Sequence, residues 1–190
     1  MLTSPTTDVP GAVVHVDVRP DALRLALLHV VEEAGWTTVL RATDDAARVS
    51  DRVPRPSPGP PLDVLVVPPT ARASRRALDA FAAGVVRSIV LTTVPTDLTV
   101  ALALVRRGVH ALPATIMADA HRWPALRPRL ERTLHLVLRG RSNADIARST
   151  HQSEATVKRD VADLLRAFDV RNRVALAATV IELGYGPEAA

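Results

Sequence analysis

Between Ser142 and Phe168 the chain reads SNADIARSTHQSEATVKRDVADLLRAF, a run that leaves few alternatives to two short helices joined by a tight turn. Ser142 stands before a helical stretch with Asp145 three residues on. A hydroxyl and a carboxylate at that spacing satisfy the free N–H groups of a first turn. The pattern gives way around Ser149–Gln152, and Ser153 is a second N-cap, with Glu154 suited to the positive end of the next helix dipole. From there Val157, Val161, Leu164, Leu165 and Phe168 recur at i, i+4, i+7, i+8 and i+11, one buried stripe. The opposite face carries Ala155, Arg159, Ala162 and Arg166, with Lys158 at its edge. Small side chains let such a face approach base edges, and cations contact phosphates and guanine. This is the layout of a helix-turn-helix offering a rod to the DNA major groove. In isolation Lys158, Arg159 and Arg166 read as a solvated helix face; the two caps and the stripe favour the DNA reading.

The flanks extend the pattern. Arg129–Arg139 places Leu130, Leu134, Val137 and Leu138 on one face and is stopped by Gly140. Asn172 caps a final helix with two stripes: Val174, Ala177, Ala178 and Ile181 on one side, Leu176, Val180 and Leu183 on the other. One stripe closes a small core, and the other packs within the chain or against a second copy. The expectation is a dimer contact through Leu176, Val180 and Leu183.

The stretch from about Leu126 to Tyr185 resembles, without gaps, the LuxR/NarL-type (GerE-like) four-helix DNA-binding domain. LRPRLERTLHLVLRG is similar to that family's opening helix, and SNADIA, SEATVK and VRNR sit at its most recognisable positions. The resemblance implies a recognition helix from Glu154 to Phe168, with Lys158, Arg159 and Ala162 facing bases. It places Thr156, Arg171 and Asn172 near the DNA backbone or the helix junctions. The expected DNA-binding set is Ser142, Asn143, Ser153, Thr156, Lys158, Arg159, Ala162, Arg166, Arg171 and Asn172. The family usually has apolar residues where this chain has Thr150 and Gln152. Burying those without partners costs about 1–3 kcal/mol each, so a looser or wetter turn is expected. Asp160 replaces a basic or polar residue and Asp163 a common asparagine. Two carboxylates beside the DNA face weaken phosphate attraction and suit a cytosine amino group.

A length of 190 residues fits one large domain or two small ones. With 47% hydrophobic and only 3% aromatic residues, the cores depend on Ala, Val and Leu. Lys158 is the only lysine. The net charge of +4 suits nucleic acid without demanding it. The absence of cysteine excludes disulfides, thiolate metal sites and a cysteine nucleophile. MLTSPTTDVPG lacks the basic segment and apolar core of a secretory signal, and the apolar stretch Ser88–Val105 is interrupted by Pro95 and Asp97. A cytoplasmic chain with no membrane partner is expected, associated with the nucleoid through DNA.

The first 115 residues alternate between strand and helix patterns. Strands are expected at Ala12–Val18, Thr37–Arg41, Leu62–Val67, Ser88–Thr93 and Val109–Leu112. Helices are expected at Asp21–Ala34, Asp44–Val53, Ser74–Ala83 and Thr96–Arg107, with a Pro-rich loop at Pro54–Pro61. Such alternation builds a parallel sheet covered by helices. The layout, with VDVRP after the first strand, IVLTT at the fourth and RRGVHAL around the fifth, resembles a response-regulator receiver domain of flavodoxin-like fold. The resemblance implies two acids after the first strand, a phospho-acceptor aspartate after the third, a hydroxyl after the fourth and a lysine after the fifth. By strand counting, Asp17 keeps one acid and Val18 replaces the other. Pro68 stands at the acceptor, Thr92 matches the hydroxyl and Thr115 stands for the lysine. Without a carboxylate nucleophile no acyl phosphate forms, and one acid is a poor Mg²⁺ site. The expectation is a degenerate receiver in which Asp17 and Thr92 are strand-end polar residues without chemistry.

Ten residues, 116–125, separate Thr115 from Leu126. The last receiver helix is therefore expected to be lost or reduced to Ile116–Ala120, with HRWPALRP as connector. The expected division is a receiver-like domain at 1–115, a short connector at 116–125 and an all-α helix-turn-helix domain at 126–190.

His15, His29, His110, His121, His135 and His151 show no metal-ligand spacing, the glycines form no phosphate loop, and no Ser/His/Asp set has motif support. No cofactor or metal is expected, and an enzyme is the least supported class. The expected function is a dimeric, phosphorylation-independent DNA-binding regulator acting on double-stranded DNA at a two-half-site operator. The N-terminal domain would receive a protein or small-molecule signal. The alternative is a protein-interaction factor whose helix-turn-helix no longer reads DNA.

Overall fold

A computed structural model describes residues 12–54, 59–94 and 96–185. The chain divides into two compact units, Met1–Ala120 and His121–Ala190.

The first unit contains β1 (Val13–Asp17), α1 (Asp21–Glu33), β2 (Thr37–Val39), β3 (Ala47–Ser50) and β4 (Leu62–Val67), followed by α2 (Ala71–Ala82), β5 (Val86–Leu91), α3 (Asp97–Arg106) and α4 (Ala114–Ala120). All strand pairs are parallel, in the order β2-β1-β3-β4-β5. This is the flavodoxin-like order, with its switch point between β1 and β3. β4 is buried along its whole length, as an apolar strand covered on both faces must be. On one face Val14, Val16, Val64, Val66 and Val90 pack with Leu27 and Val31 of α1 and Leu98, Ala101 and Leu102 of α3. On the other, Leu65, Val67 and Ile89 pack with Ala77 and Ala80 of α2 and Ile116 of α4.

Two expectations change here. The segment Asp44–Val53, expected as a helix, contains β3. Its four paired residues sit between β1 and β4, with Val14↔Ala47 and Asp17↔Ser50 on one side and Val49↔Val64 on the other. Non-local pairing overrides a local helical pattern when both ladder partners are already in place. The last strand, expected at Val109–Leu112, is a single parallel bridge of Ala111 to Ser88. The last helix, expected to be lost or reduced to Ile116–Ala120, is the short α4, and the two compact units part within the expected connector 116–125. Ile116 and Ala120 are fully buried in the α/β unit and Trp123 is buried in the helical unit. Apolar residues at these positions carry the unit boundary to between Ala120 and His121. Residues 55–58 of the expected Pro-rich loop lie outside the described residues.

The second unit comprises α5 (Pro128–Leu138), α6 (Asn143–Thr150), α7 (Glu154–Ala167) and α8 (Arg173–Glu182). Pro128 opens α5 at a position where its missing N–H costs nothing, and Gly140 follows α5 in the left-handed region at φ 74°. Leu134, Val137, Ile146, Val157, Leu164, Phe168, Leu176 and Val180 form the core. Trp123 closes one end. Its ring meets Phe168 edge-on at 5.3 Å and stacks on Tyr185 at 6.4 Å, and the Tyr185 hydroxyl lies 2.7 Å from Nδ1 of His135.

Candidate nucleic-acid interface

Local chemistry sets the ends of each helix at the interface. Ser142 and Asp145 form a complete capping box. The Asp145 N–H donates to the Ser142 hydroxyl oxygen at 3.1 Å and the Ser142 N–H donates to the Asp145 carboxylate at 3.3 Å. The Ser142 hydroxyl, Arg148 and the Ser142 N–H together hold the Asp145 carboxyl below the usual carboxylate range. Ser153 caps α7, accepting the Thr156 N–H at 3.1 Å, and its hydroxyl pairs with that of Thr156 at 2.8 Å. Asn172 caps α8 by accepting the Ala175 N–H at 2.9 Å. Ser142, Ser153, Thr156 and Asn172 thus shape the helix ends directly. Between α6 and α7, His151 takes the left-handed conformation at φ 55° that this sharp reversal requires.

The turn differs from the loose one expected. The Thr150 hydroxyl donates to the Ile146 carbonyl at 2.7 Å, and the Gln152 N–H closes on the Ala147 carbonyl at 3.0 Å. Only the Gln152 side-chain oxygen is buried without a partner among these groups.

On α7, Val157, Leu164 and Phe168 face inward, and Ala155, Lys158, Arg159, Ala162 and Arg166 are exposed on the opposite side. Lys158 leans toward Glu154 at 3.4 Å and Arg166 pairs with Asp163 at 2.8 Å. Such exposed one-turn pairs are worth only tenths of a kcal/mol and yield readily to a phosphate. The Arg159 guanidinium has no hydrogen bond or ion pair among the described residues. Asn143 opens α6 half-buried and Arg171 is exposed before α8. Arg173, which sequence reasoning left out, donates to the carbonyls of Val137 and Arg141 and so ties α8 to the end of α5.

Two expected placements are corrected. Asp160 does not stand beside the exposed face: it is fully buried, against Arg129 and Thr133 of α5. The helical period places residue 160 between Val157 and Leu164 on the inner side, and a partner on α5 makes a carboxylate tolerable there. The stripes of α8 are also exchanged. Leu176 and Val180 are fully buried in the unit's own core and Leu183 is half-buried, so they cannot serve as a dimer surface. The exposed stripe is Val174, Ala178 and Ile181, with Val174 80% and Ile181 63% accessible. Leu176 and Val180 fill the volume between α5, α7 and α8.

In the α/β unit the strand count moves the expected phosphorylation positions. Leu62–Val67 is the fourth strand, so Pro68 follows the fourth and Thr92 the fifth. The third is β3, and the residue after it is Asp51. Asp17 pairs in register with Ser50, so Asp17 and Asp51 end neighbouring strands. One Asp51 oxygen accepts the Arg19 backbone N–H at 2.9 Å, and the other is buried without a partner. Thr115 is not at the strand ends: it is exposed in the first turn of α4. A second carboxylate that sequence reasoning missed is Asp63 on β4. It accepts the Arg48 N–H at 2.9 Å and the Arg87 guanidinium at 2.9 Å, linking three strands. Among the described residues no three His, Asp or Glu side chains gather to hold a metal ion, and no helix is long and apolar enough to cross a membrane.

A flavodoxin-like parallel sheet joined in one chain to a four-helix unit carrying a helix-turn-helix defines the architecture. Among solved structures, the chain is similar to the RcsB response regulator of Salmonella typhimurium, with 18% identity over 90% of this chain and 100% of that one, at a TM-score of 0.54. It is similar to RcsB in a structure of two dimers bound to two parallel DNAs, with 19% identity, 92% and 100% coverage and a TM-score of 0.54. RcsB from Salmonella enterica serovar Typhimurium, bound to promoter rprA in the presence of phosphomimetic BeF3⁻, matches with 21% identity, 90% and 98% coverage and a TM-score of 0.53. At these identities the likeness is one of fold. No protein-family model matches the chain, and no curated protein matches it.

Proposed function

We propose that the chain is a sequence-reading, double-stranded-DNA-binding transcription regulator rather than an enzyme. The observation that carries this is the outer face of α7. Ala155 and Ala162 leave room for base edges, while Lys158, Arg159 and Arg166 stand exposed on a helix whose two ends are capped. The RcsB structures of the same fold are described as bound to DNA and to a promoter, which supports the reading. Ser142, Asn143, Arg171 and Asn172 lie at helix starts where backbone N–H groups and cations suit phosphates. The exposed Val174, Ala178 and Ile181 stripe suits a second copy, giving a dimer on two half-sites. Such a regulator works in the cytoplasm, on the nucleoid.

Regulation by the α/β unit is independent of aspartyl phosphorylation in this reading. Of the Asp51 oxygens, one is held by the Arg19 N–H and the other is shielded from solvent. Thr92 follows the fifth strand, and the chain has no lysine outside α7. Incubation with acetyl phosphate and Mg²⁺ is expected to leave the intact mass unchanged; a phosphoryl adduct on Asp51 would overturn this part. The signal reaching this unit is then a protein or a small molecule.

Selection from random duplex DNA with the purified full chain, at fixed near-physiological salt, tests the main reading. An enriched inverted repeat is the expected outcome. No enrichment, together with a shallow salt dependence, would favour a protein-interaction module. The features that motivate that alternative are weaker in the folded chain: Asp160 is buried, Asp163 is paired and Thr150 is hydrogen-bonded.

A further inference from the structure

On the inner side of α7 one position breaks the apolar stripe. Asp160 is fully buried, with Val157 one turn before it and Leu164 one turn after, both also fully buried. One of its carboxylate oxygens lies 2.8 Å from the Arg129 guanidinium, as an ion pair rather than an aligned hydrogen bond. The other faces the buried Thr133 hydroxyl at 3.5 Å. Arg129 reaches in from α5, with about half of its side chain in solvent.

An apolar residue at 160 would pack at least as well. Replacing a buried ion pair by hydrophobic side chains is often neutral or stabilising, whereas a lone buried charge is strongly unfavourable. The pair therefore has little to offer as mere stability. It does supply direction. The hydrophobic effect that drives a stripe inward is non-directional, so it specifies the rotation of a helix about its axis less sharply than an ion pair does. A carboxylate with one cation on one neighbouring helix is satisfied at a single rotation and height. Rotation of α7 decides where Arg159 and Ala162 point, because they project from the face opposite Asp160's neighbours Val157 and Leu164.

We propose that Arg129 and Asp160 are positioning residues for base reading: their ion pair, buried at Asp160 and half in solvent at Arg129, holds α7 at the rotation that aims Arg159 at a base edge. This rests on the DNA-binding reading above. The pair acts through α7 and touches no DNA itself. Its removal lowers discrimination between sequences, while sequence-independent phosphate contacts persist: those of Arg166, and of Lys158 at the edge of the face, whose compact ammonium suits a phosphate better than the base edge the resemblance implies.

The test compares the full-length chain with Arg129→Met/Asp160→Leu, which removes both charges together. Each protein is titrated against the selected operator and against scrambled duplex over a series of salt concentrations, with thermal melts alongside. The expected result is an unchanged or higher melting temperature and an unchanged salt slope on scrambled DNA, with a specific-to-nonspecific affinity ratio reduced about tenfold or more, the scale of one lost base contact. A charge exchange, Arg129→Asp/Asp160→Arg, is expected to restore part of the ratio. Arg129→Lys serves if the apolar pair does not melt cooperatively: it keeps the charge, loses the planar fork, and is expected to lower the ratio at unchanged melting temperature. A ratio kept within about twofold in the apolar or lysine variant would reduce the pair to a structural contact and overturn the proposal. A wild-type chain with no preference for any duplex would overturn the DNA-reading function itself, and this proposal with it.

Discussion

At the residue scale, Arg159 and Lys158 stand on the same exposed face in different electrostatic situations. Among the described residues Arg159 has no hydrogen bond or ion pair, which suits it to fork onto a guanine, whereas Lys158 is a flexible point charge leaning on Glu154. Arg159→Ala is expected to cost about 1–3 kcal/mol on the selected operator and to relax one base position. Lys158→Ala is expected to weaken all duplexes alike and reduce the salt slope by about one. Titrations on matched and singly mismatched duplexes separate the two. Asp145 provides a pH handle. Its folded-state carboxyl is held below its ordinary value, so its stabilisation is fully present above the unfolded pKa and is lost as pH falls through the lower folded value. Asp145→Asn is expected to melt earlier than the wild type at neutral pH, with the gap closing at the acid end of a pH series.

At the scale of single elements, α8 separates core from interface. Leu176→Ala opens a cavity in a fully buried site and is expected to cost about 2–5 kcal/mol, read as a lower melting temperature. Val174→Asp with Ile181→Asp leaves the core intact and is expected to keep the melting temperature, while two-site operator complexes give way to single-site ones in sedimentation or gel-shift assays. Two apolar stripes were legible in this helix from its period alone. Which one faces inward was not, because Leu176/Val180 and Val174/Ile181 are equally apolar and only the volume between α5 and α7 selects between them. β3 makes the same point in the sheet. Ala47–Ser50 is too short and too mixed to announce a strand, and it becomes one because β1 and β4 leave a ladder position between them.

On the scale of the whole molecule, the boundary at Ala120 and His121 is set by where buried side chains belong. Trp123 is only 4% exposed and packs on Phe168 and Tyr185, so the helical unit begins before α5. A fragment of residues 121–190 is expected to be more stable than one of 126–190 by about 3–5 kcal/mol, the scale of deleting a buried tryptophan. Denaturant melts of the two fragments measure the difference, and equal midpoints would mean that the Trp123 clasp contributes nothing.

The helix-turn-helix was legible from sequence because its signals are local. Serine caps at Ser142 and Ser153, a 3.6-residue stripe and Gly140 each act within a turn or two of chain, where propensity and capping dominate. The parallel sheet was legible as a class for the same reason, through its alternating apolar runs. Tertiary structure alone decided what depends on partners far along the chain: β3 between β1 and β4, Asp51 rather than Pro68 after the third strand, Arg129 as the partner of Asp160, and the exposed stripe of α8. A single residue carries its own period and polarity, but which neighbour it meets is a property of the packed whole.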